Sequence, residues 1–324
     1  MVLTYKKFVF ALFILSFSLI GIYSYIVLNY KHLYMSQEYP MWSSIKSKMY
    51  TNHQGKYNFL FIGDSRAKTG FIPKDFDEKT GFTTLNLSIG GGTPIEGYFS
   101  LKTYIENNKD KLAKHVLLSY APFHLVMQDS YWSRTVRFDF LKKEEYHDIL
   151  NMAEKLNDVS TLGNLEDQQS DFYTGKYLIE FFKGITQMRW KTNQKVAKEL
   201  ILSHDHCYFG GSSEATSLCQ ETEYKHFNPS KLLDNFFKRT LVLARKNGME
   251  LYYYTMPLSE LSYKHVNVEF VSEYNRYIKD LSKSYKMKSL NTLTYRENTY
   301  FGDASHLFKG ATIITSEIAD KLRY

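Results

Sequence analysis

Phe59-Leu60-Phe61-Ile62-Gly63-Asp64-Ser65 is a short apolar run that ends in a glycine, a carboxylate and a hydroxyl. An unbroken apolar run stopped by turn-forming residues reads as a strand buried on both faces, the pattern of a parallel sheet. Working outward, the same pattern predicts strands over Tyr57–Ile62, Phe82–Leu87, His115–Tyr120 and Met249–Thr255, with a short fifth at Met287–Leu290. Helix signals fall between them. In Thr93-Pro94-Ile95-Glu96 the threonine caps, the proline takes the first helical position and the glutamate closes a capping box, which predicts a helix to about Asn107. Asn228-Pro229 opens another helix that Gly248 ends. Strand and helix in alternation predict an α/β domain, a parallel sheet wrapped on both sides by helices. Active residues then collect at the C-terminal ends of the strands.

Ser65 follows the first strand, and Asp303-Ala304-Ser305-His306 lies between the fifth strand and the last helix. A serine hydroxyl is a poor nucleophile at neutral pH and needs an imidazole to take its proton and return it to the leaving group. The imidazole needs a carboxylate to hold one tautomer. Ser65, His306 and Asp303 supply those three groups. Each motif alone has a plainer reading, Gly-Asp-Ser as a strand-ending turn and Asp-x-x-His as a helix cap with a solvent-facing histidine. Their positions relative to the strands favour the catalytic one. Gly91, in Leu85-Asn86-Leu87-Ser88-Ile89-Gly90-Gly91-Gly92-Thr93, and Ala121-Pro122-Phe123-His124 also fall shortly after strands, where a shared site requires them.

The two end motifs resemble the first and last blocks of the SGNH/GDSL hydrolase superfamily. The resemblance covers about residues 57–125 and 249–322 and is specific at its ends. It implies an SGNH-like, flavodoxin-like three-layer domain with Ser65 as nucleophile, His306 as base and Asp303 as its orienting carboxylate. The glycine-rich segment is similar to the second block, so the backbone N–H groups of Gly91 and Ser65 would form the oxyanion hole. The third block normally carries an asparagine, and this chain has none there. Losing one such donor typically costs on the order of 100-fold or more in rate, so either another group replaces it, His124 among the candidates, or activity on simple esters is weak. Asp64, Arg66, Asn86 and His124 are candidate substrate-binding residues. Membrane-anchored branches of the superfamily, resembling alginate O-acetyltransferase-like and lipoteichoic acid D-alanylation proteins, also depart from the full pattern. They imply acyl transfer to a cell-envelope polysaccharide, with a membrane acyl-donor protein as partner. Hydrolysis of acyl esters and a catalytically degenerate glycan-binding scaffold are the alternatives. No cofactor is expected.

Phe8 to Leu28 carries no charge and is long enough to span a bilayer. Lys6 and Lys7 precede it, which predicts a cytoplasmic tail over residues 1–7 and export of the rest, periplasmic or extracellular. A cleavable signal peptide is the rival, but the run is long and lacks an Ala-x-Ala ending. Residues 29–56 read as a connector, and residues 57–324 as the domain, with a mostly helical insertion over about 125–227 that serves as a lid or as extra packing. Lys142–Leu156 and Tyr177–Leu202 are its candidate helices. Tyr131, Trp132, Arg134 and Arg137 cluster at its start.

The 324 residues carry a formal charge of +7, compatible with an anionic glycan or lipid headgroups. No dense Lys/Arg block marks a nucleic-acid site, and no glycine loop followed by Lys-Ser/Thr marks a nucleotide site. In an exported domain, Cys207 and Cys219 read as a local disulfide, with free thiols the alternative. The neighbouring His204-Asp205-His206-Cys207 matches no standard zinc spacing, so no metal is expected.

Overall fold

The computed structural model describes residues 2–128, 131–163 and 177–323, with side chains from residue 4 onward. The parts of the insertion at 129–130 and 164–176 lie outside the described residues. The chain forms two compact units, Met1–Pro40 with Asn164–Val196, and Met41–Gly163 with Ala197–Tyr324.

The second unit is an α/β domain. Its sheet contains β1 (Phe59–Gly63), β2 (Thr84–Asn86), β3 (His115–Ser119), β4 (Glu250–Tyr253) and β6 (Lys288–Ser289), all parallel, in the spatial order β2-β1-β3-β4-β6. A two-stranded parallel pair, β5 (Leu258–Ser259) with β7 (Tyr295–Arg296), stands apart from it and was not anticipated. Each main strand is trimmed by one or two residues at one or both ends relative to expectation, because pairing stops where the chain turns into its loop, while β1 runs on to Gly63.

Strand alternation explains the packing. Phe59 and Phe61 point to one face, where they join Phe71, Phe76, Leu117, Ile314 and Ile318 in one buried cluster. The helices Pro73–Thr80 and Ala311–Leu322 cover that face, and Thr315 Oγ1 accepts from the Ile72 N–H at 2.9 Å. Ile62 points to the other face, towards Gly97 in the helix Pro94–Asn107, against which Lys231–Lys246 packs. Both faces are therefore filled, and β1 is apolar at every position.

The helix Pro94–Asn107 has the expected capping box, with Glu96 accepting from the Thr93 N–H at 2.8 Å. The helix before β4 starts later than expected. Ser230, not Asn228, is its N-cap, its hydroxyl accepting from the Leu233 N–H at 3.2 Å, while Gly248 ends it at φ +72° as foreseen. Lys143–Lys155 forms the first insertion helix. The second candidate is broken in two, Tyr177–Thr186 and Arg189–Leu202, by Met188 at φ +49°. The connector is also not a simple tether. Tyr39–Tyr50 is helical, and from Met41 onward it belongs to the sheet unit, where Trp42 is buried edge-on to Phe140 at 5.1 Å.

In the first unit Val2–Asn29 is one helix, followed by the short turn Lys31–Tyr34. Thr4–Asn29 is long and apolar enough to cross a membrane, and nearly all of it is exposed.

Candidate functional site

The sheet changes direction between β1 and β3. The chain leaves β1 for β2 on one side and then crosses to β3 on the other, which opens a crevice at the C-terminal ends of β1 and β3. Ser65 sits there as the first residue of the helix Ser65–Gly70, capped by Asp64. The turn before it is possible because Gly63 has no side chain. A Cβ on Gly63 would lie 2.1 Å from the Ser119 carbonyl oxygen and 2.5 Å from Ala67 Cβ.

Asp64 Oδ1 accepts from the N–H groups of Arg66 and Ala67 at 2.9 and 3.1 Å. That capping leaves the Ser65 N–H, the first of the helix, with no partner among the described residues. Asp64 Oδ2 accepts from the Ala121 N–H at 2.5 Å and from His124 Nδ1–H at 2.8 Å. Burial pushes the Asp64 carboxyl up, but the His124 hydrogen bond and charge, the Ala121 N–H and Arg66 outweigh it and hold it below its ordinary value.

The second half of the site comes from the loop before the last helix. Asp303 Oδ1 accepts from the N–H groups of Ser305 and His306 at 2.9 and 2.8 Å, which folds the loop back on itself. Its Oδ2 lies 2.8 Å from His306 Nδ1, and His306 Nε2 lies 2.8 Å from Ser65 Oγ. The structure thus brings Ser65, His306 and Asp303 together in one hydrogen-bonded chain. Burial raises the Asp303 carboxyl, and the His306 bond and charge with the two backbone N–H groups bring it below its ordinary value. An ionised Asp303 fixes the proton on Nδ1, so Nε2 faces the serine as an acceptor. The His306 side chain is 20% exposed, so the group is reachable from solvent.

A strap from the insertion holds this loop. The Ser212 N–H and hydroxyl both donate to the Gly302 carbonyl, at 3.0 and 2.6 Å, and the Ala215 N–H donates to the Asn298 carbonyl at 3.0 Å. Phe209 on the strap lies edge-on to the His306 ring at 5.2 Å, and a Cβ on Gly90 would meet its ring tip at 3.2 Å. Phe209 therefore walls the space between the imidazole and the glycine-rich turn, in which Gly91 has φ +73°. The only sequence signal for it was an aromatic residue ahead of Gly210-Gly211 in a loop read for its cysteines.

The expected substrate-binding residues are corrected by burial. Asp64, Arg66, Asn86 and His124 are each at most 1% exposed. Arg66 pairs with Glu221 at 2.6 Å, and Glu221 also accepts from the Phe123 N–H at 3.4 Å, so this ion pair ties the helix Ser65–Gly70 to the insertion and to the end of β3. Asn86 Oδ1 accepts from the Ser88 N–H and hydroxyl, and its Nδ2 donates to the Asp205 carbonyl. His124 gives its Nδ1–H to the Asp64 carboxylate, at the N-cap of the Ser65 helix. Lys68 is likewise fully buried, and its ammonium donates to the Ser88 carbonyl at 3.0 Å.

The disulfide is also corrected, since Cys207 and Cys219 are free thiols. They are held by different surroundings, Cys207 within the field of Lys68 and Cys219 against Glu221 and Ser262. Burial, together with the Glu221 charge, pushes the Cys219 thiol up to about 11, so it is unreactive at neutral pH. Among the described residues, no group of three or more His, Cys, Asp or Glu side chains could hold a metal ion. His206 Nε2 faces the Thr69 carbonyl at 3.1 Å, and Asp205 accepts from Ser44 and pairs with Lys48.

Compared with known proteins, the chain matches no family model and no curated sequence.

Proposed function

We propose that this chain is a membrane-anchored serine acyltransferase of the SGNH type, acting outside the cytoplasmic membrane on acyl esters of a cell-envelope glycan. The observation that carries this reading is the Ser65–His306–Asp303 chain, with both links at 2.8 Å, at the C-terminal edge of a parallel sheet. The sheet order, 2-1-3-4-5 when its five strands are numbered along the chain, supports a flavodoxin-like reading, as does the position of Ser65 just after β1, beside the switch point where such folds bind ligands.

Ser65 Oγ attacks the acyl carbonyl as its proton passes to His306 Nε2. The charge that develops on the carbonyl oxygen is met by the Ser65 N–H, which the Asp64 cap leaves available, and by the Gly91 N–H. His306 then protonates the departing oxygen, leaving an acyl ester on Ser65. An acceptor hydroxyl gives its proton to His306 and takes the acyl group, which restores the serine. A sugar hydroxyl as acceptor makes the protein an O-acyltransferase, and water makes it an esterase. The departure from the third SGNH block supports a site built for one placed acceptor, because a hole with fewer donors is slow on simple esters. The Val2–Asn29 helix supports anchoring beside a membrane acyl-donor protein, and the charge of +7 suits an anionic envelope polymer.

The test is intact-mass analysis of the full chain in detergent after treatment with a fluorophosphonate. One adduct that maps to Ser65 and is lost in Ser65→Ala and His306→Ala is the expected result. An unmodified native chain overturns the serine mechanism. Labelled acyl-enzyme offered water or envelope glycan then separates hydrolysis from transfer.

A further inference from the structure

The helix Tyr177–Thr186 has two faces, and the more apolar one has no cover among the described residues. Its inner face lies on the N-terminal segment of its own unit. Phe181 is edge-on to Tyr23 at 5.4 Å and to Tyr34 at 5.9 Å, and the Lys31 ammonium donates to the Tyr177 hydroxyl at 3.1 Å. A Cβ on Gly184 would lie 2.3 Å from Tyr34 Cα, so the helix sits directly on that backbone. Asn193 of the following helix donates to the His32 and Met35 carbonyls at 2.9 and 3.0 Å. The outer face carries Leu178, Ile179, Phe182 and Ile185, exposed by 44, 66, 58 and 50%. At 100° per residue they fall within one arc of about 120°, and Lys183 stands at its border.

An amphipathic helix in water turns its apolar arc inward. This one turns it outward, beside a helix long and apolar enough to cross a bilayer. Tyr23 lies six residues before the end of that helix, or about 9 Å along its axis. Phe181 therefore meets the span at the depth where interfacial helices rest, roughly 5–10 Å into the boundary between headgroups and acyl chains. Tyr25 and Tyr30 ring that end of the span, Trp190 adds an amphipathic ring nearby in sequence, and Lys191 and Lys195 are exposed in the next helix. Aromatic rings and cations are what such a boundary selects.

We propose that Tyr177–Thr186 is an interfacial membrane helix, with Leu178, Ile179, Phe182 and Ile185 embedded in the acyl chains of the leaflet where the Val2–Asn29 span ends. The insertion thus gives the chain a second hold on the bilayer. This rests on Val2–Asn29 being a membrane span.

The experiment uses the full chain carrying Cys207→Ser and Cys219→Ser, reconstituted in vesicles of phosphatidylcholine with phosphatidylglycerol. A nitroxide is placed singly at Leu15→Cys, Phe182→Cys, Ile185→Cys or Lys283→Cys, and collisions with oxygen and with a water-soluble nickel chelate are compared. The expected oxygen-to-nickel ratio at 182 and 185 approaches that at 15 and exceeds that at 283 by about tenfold, as for side chains among acyl chains. Ratios at 182 and 185 equal to 283, with 15 in lipid, overturn the interfacial helix and leave the span standing. Water exposure at 15 overturns the span itself. Labels at 182 and 185 shielded from both probes overturn the proposal in favour of a protein partner. A benzoyl-phenylalanine at 182, with the native cysteines retained, gives the same decision without the cysteine changes, since crosslinks to lipid support the proposal and crosslinks to protein refute it.

Discussion

Replacing Asp303 by asparagine tests the proposed mechanism with little disturbance to the fold. The asparagine carbonyl can take the place of Oδ1 and keep the bonds from the Ser305 and His306 N–H groups, so the loop keeps its turn. What changes is the atom 2.8 Å from His306 Nδ1, which becomes an N–H donor. Nδ1 must then accept, the proton moves to Nε2, and the ring meets Ser65 Oγ with a hydrogen in place of a lone pair. A wrong tautomer in such a triad costs about 10⁴ in rate, or roughly 5 kcal/mol of barrier. The assay is the second-order rate of fluorophosphonate modification at Ser65, with thermal melting alongside. Asp303→Asn is expected to slow modification by about three to four orders of magnitude while melting stays close to native. Asp303→Ala is expected to be as slow and also to lose about 1–2 kcal/mol of stability with its turn bonds. Because the folded Asp303 carboxyl lies below its ordinary value, its contribution to stability is present above the usual carboxylate range and is lost as pH falls through the depressed value. The stability gap between native and alanine chains therefore narrows in acid. A rate within tenfold of native, with the fold intact, refutes the assignment of Asp303 to the tautomer of His306.

Gly63→Ala places a methyl 2.1 Å from a backbone oxygen and is expected to cost at least about 3 kcal/mol and to misplace Ser65, read from a urea melt and the labelling rate. Native stability in that variant contradicts the packing described for the turn. Glu221→Gln leaves the Arg66 guanidinium buried without its anion, with an expected loss of about 3–5 kcal/mol in the same melt. An unchanged midpoint shows that the pair does not hold the insertion to the nucleophile helix. Lys68→Met works in the opposite direction. Burial lowers the Lys68 ammonium from 10.5 to about 8, a penalty of about 3 kcal/mol at neutral pH, against which the lost bond to Ser88 counts about 1. The variant is expected to be about 2 kcal/mol more stable at neutral pH. Between pH 8 and 10.5 the unfolded native chain binds the extra proton, so native stability climbs with pH and the advantage shrinks. A variant less stable than native at neutral pH rules this out.

The sheet and the three side chains that meet at the candidate site were legible because they rest on local pattern. Phe59-Leu60-Phe61-Ile62 needs two apolar faces wherever it is found, and Thr93-Pro94-Ile95-Glu96 caps its helix with its own side chains. Asp303 and His306 fold towards each other within four residues. The misreadings came where a residue's role is decided by a distant partner. Arg66 looks like an anion binder until Glu221, 155 residues away, is seen to hold it. His124 looks like a replacement donor until Asp64, 60 residues back, takes its Nδ1–H. The two cysteines are close in sequence, which favours a disulfide, but each is held by different neighbours. Met188 broke a helix whose composition is helical on both sides, and nothing local marked the break.

Ser65 and His306 are 241 residues apart, whereas β1 finds both its sheet neighbours within about sixty residues. Loop closure favours the near pairings first. On refolding, the three-strand core and the Asp64 turn form from one short stretch, and the His306 loop docks only after β4, β6 and the strap have assembled. Tertiary structure around Ser65 is therefore expected to form before its contact with His306. Stopped-flow aromatic signals are expected to recover ahead of fluorophosphonate capture, the delay timing the docking of the His306 loop, and simultaneous recovery refutes that order.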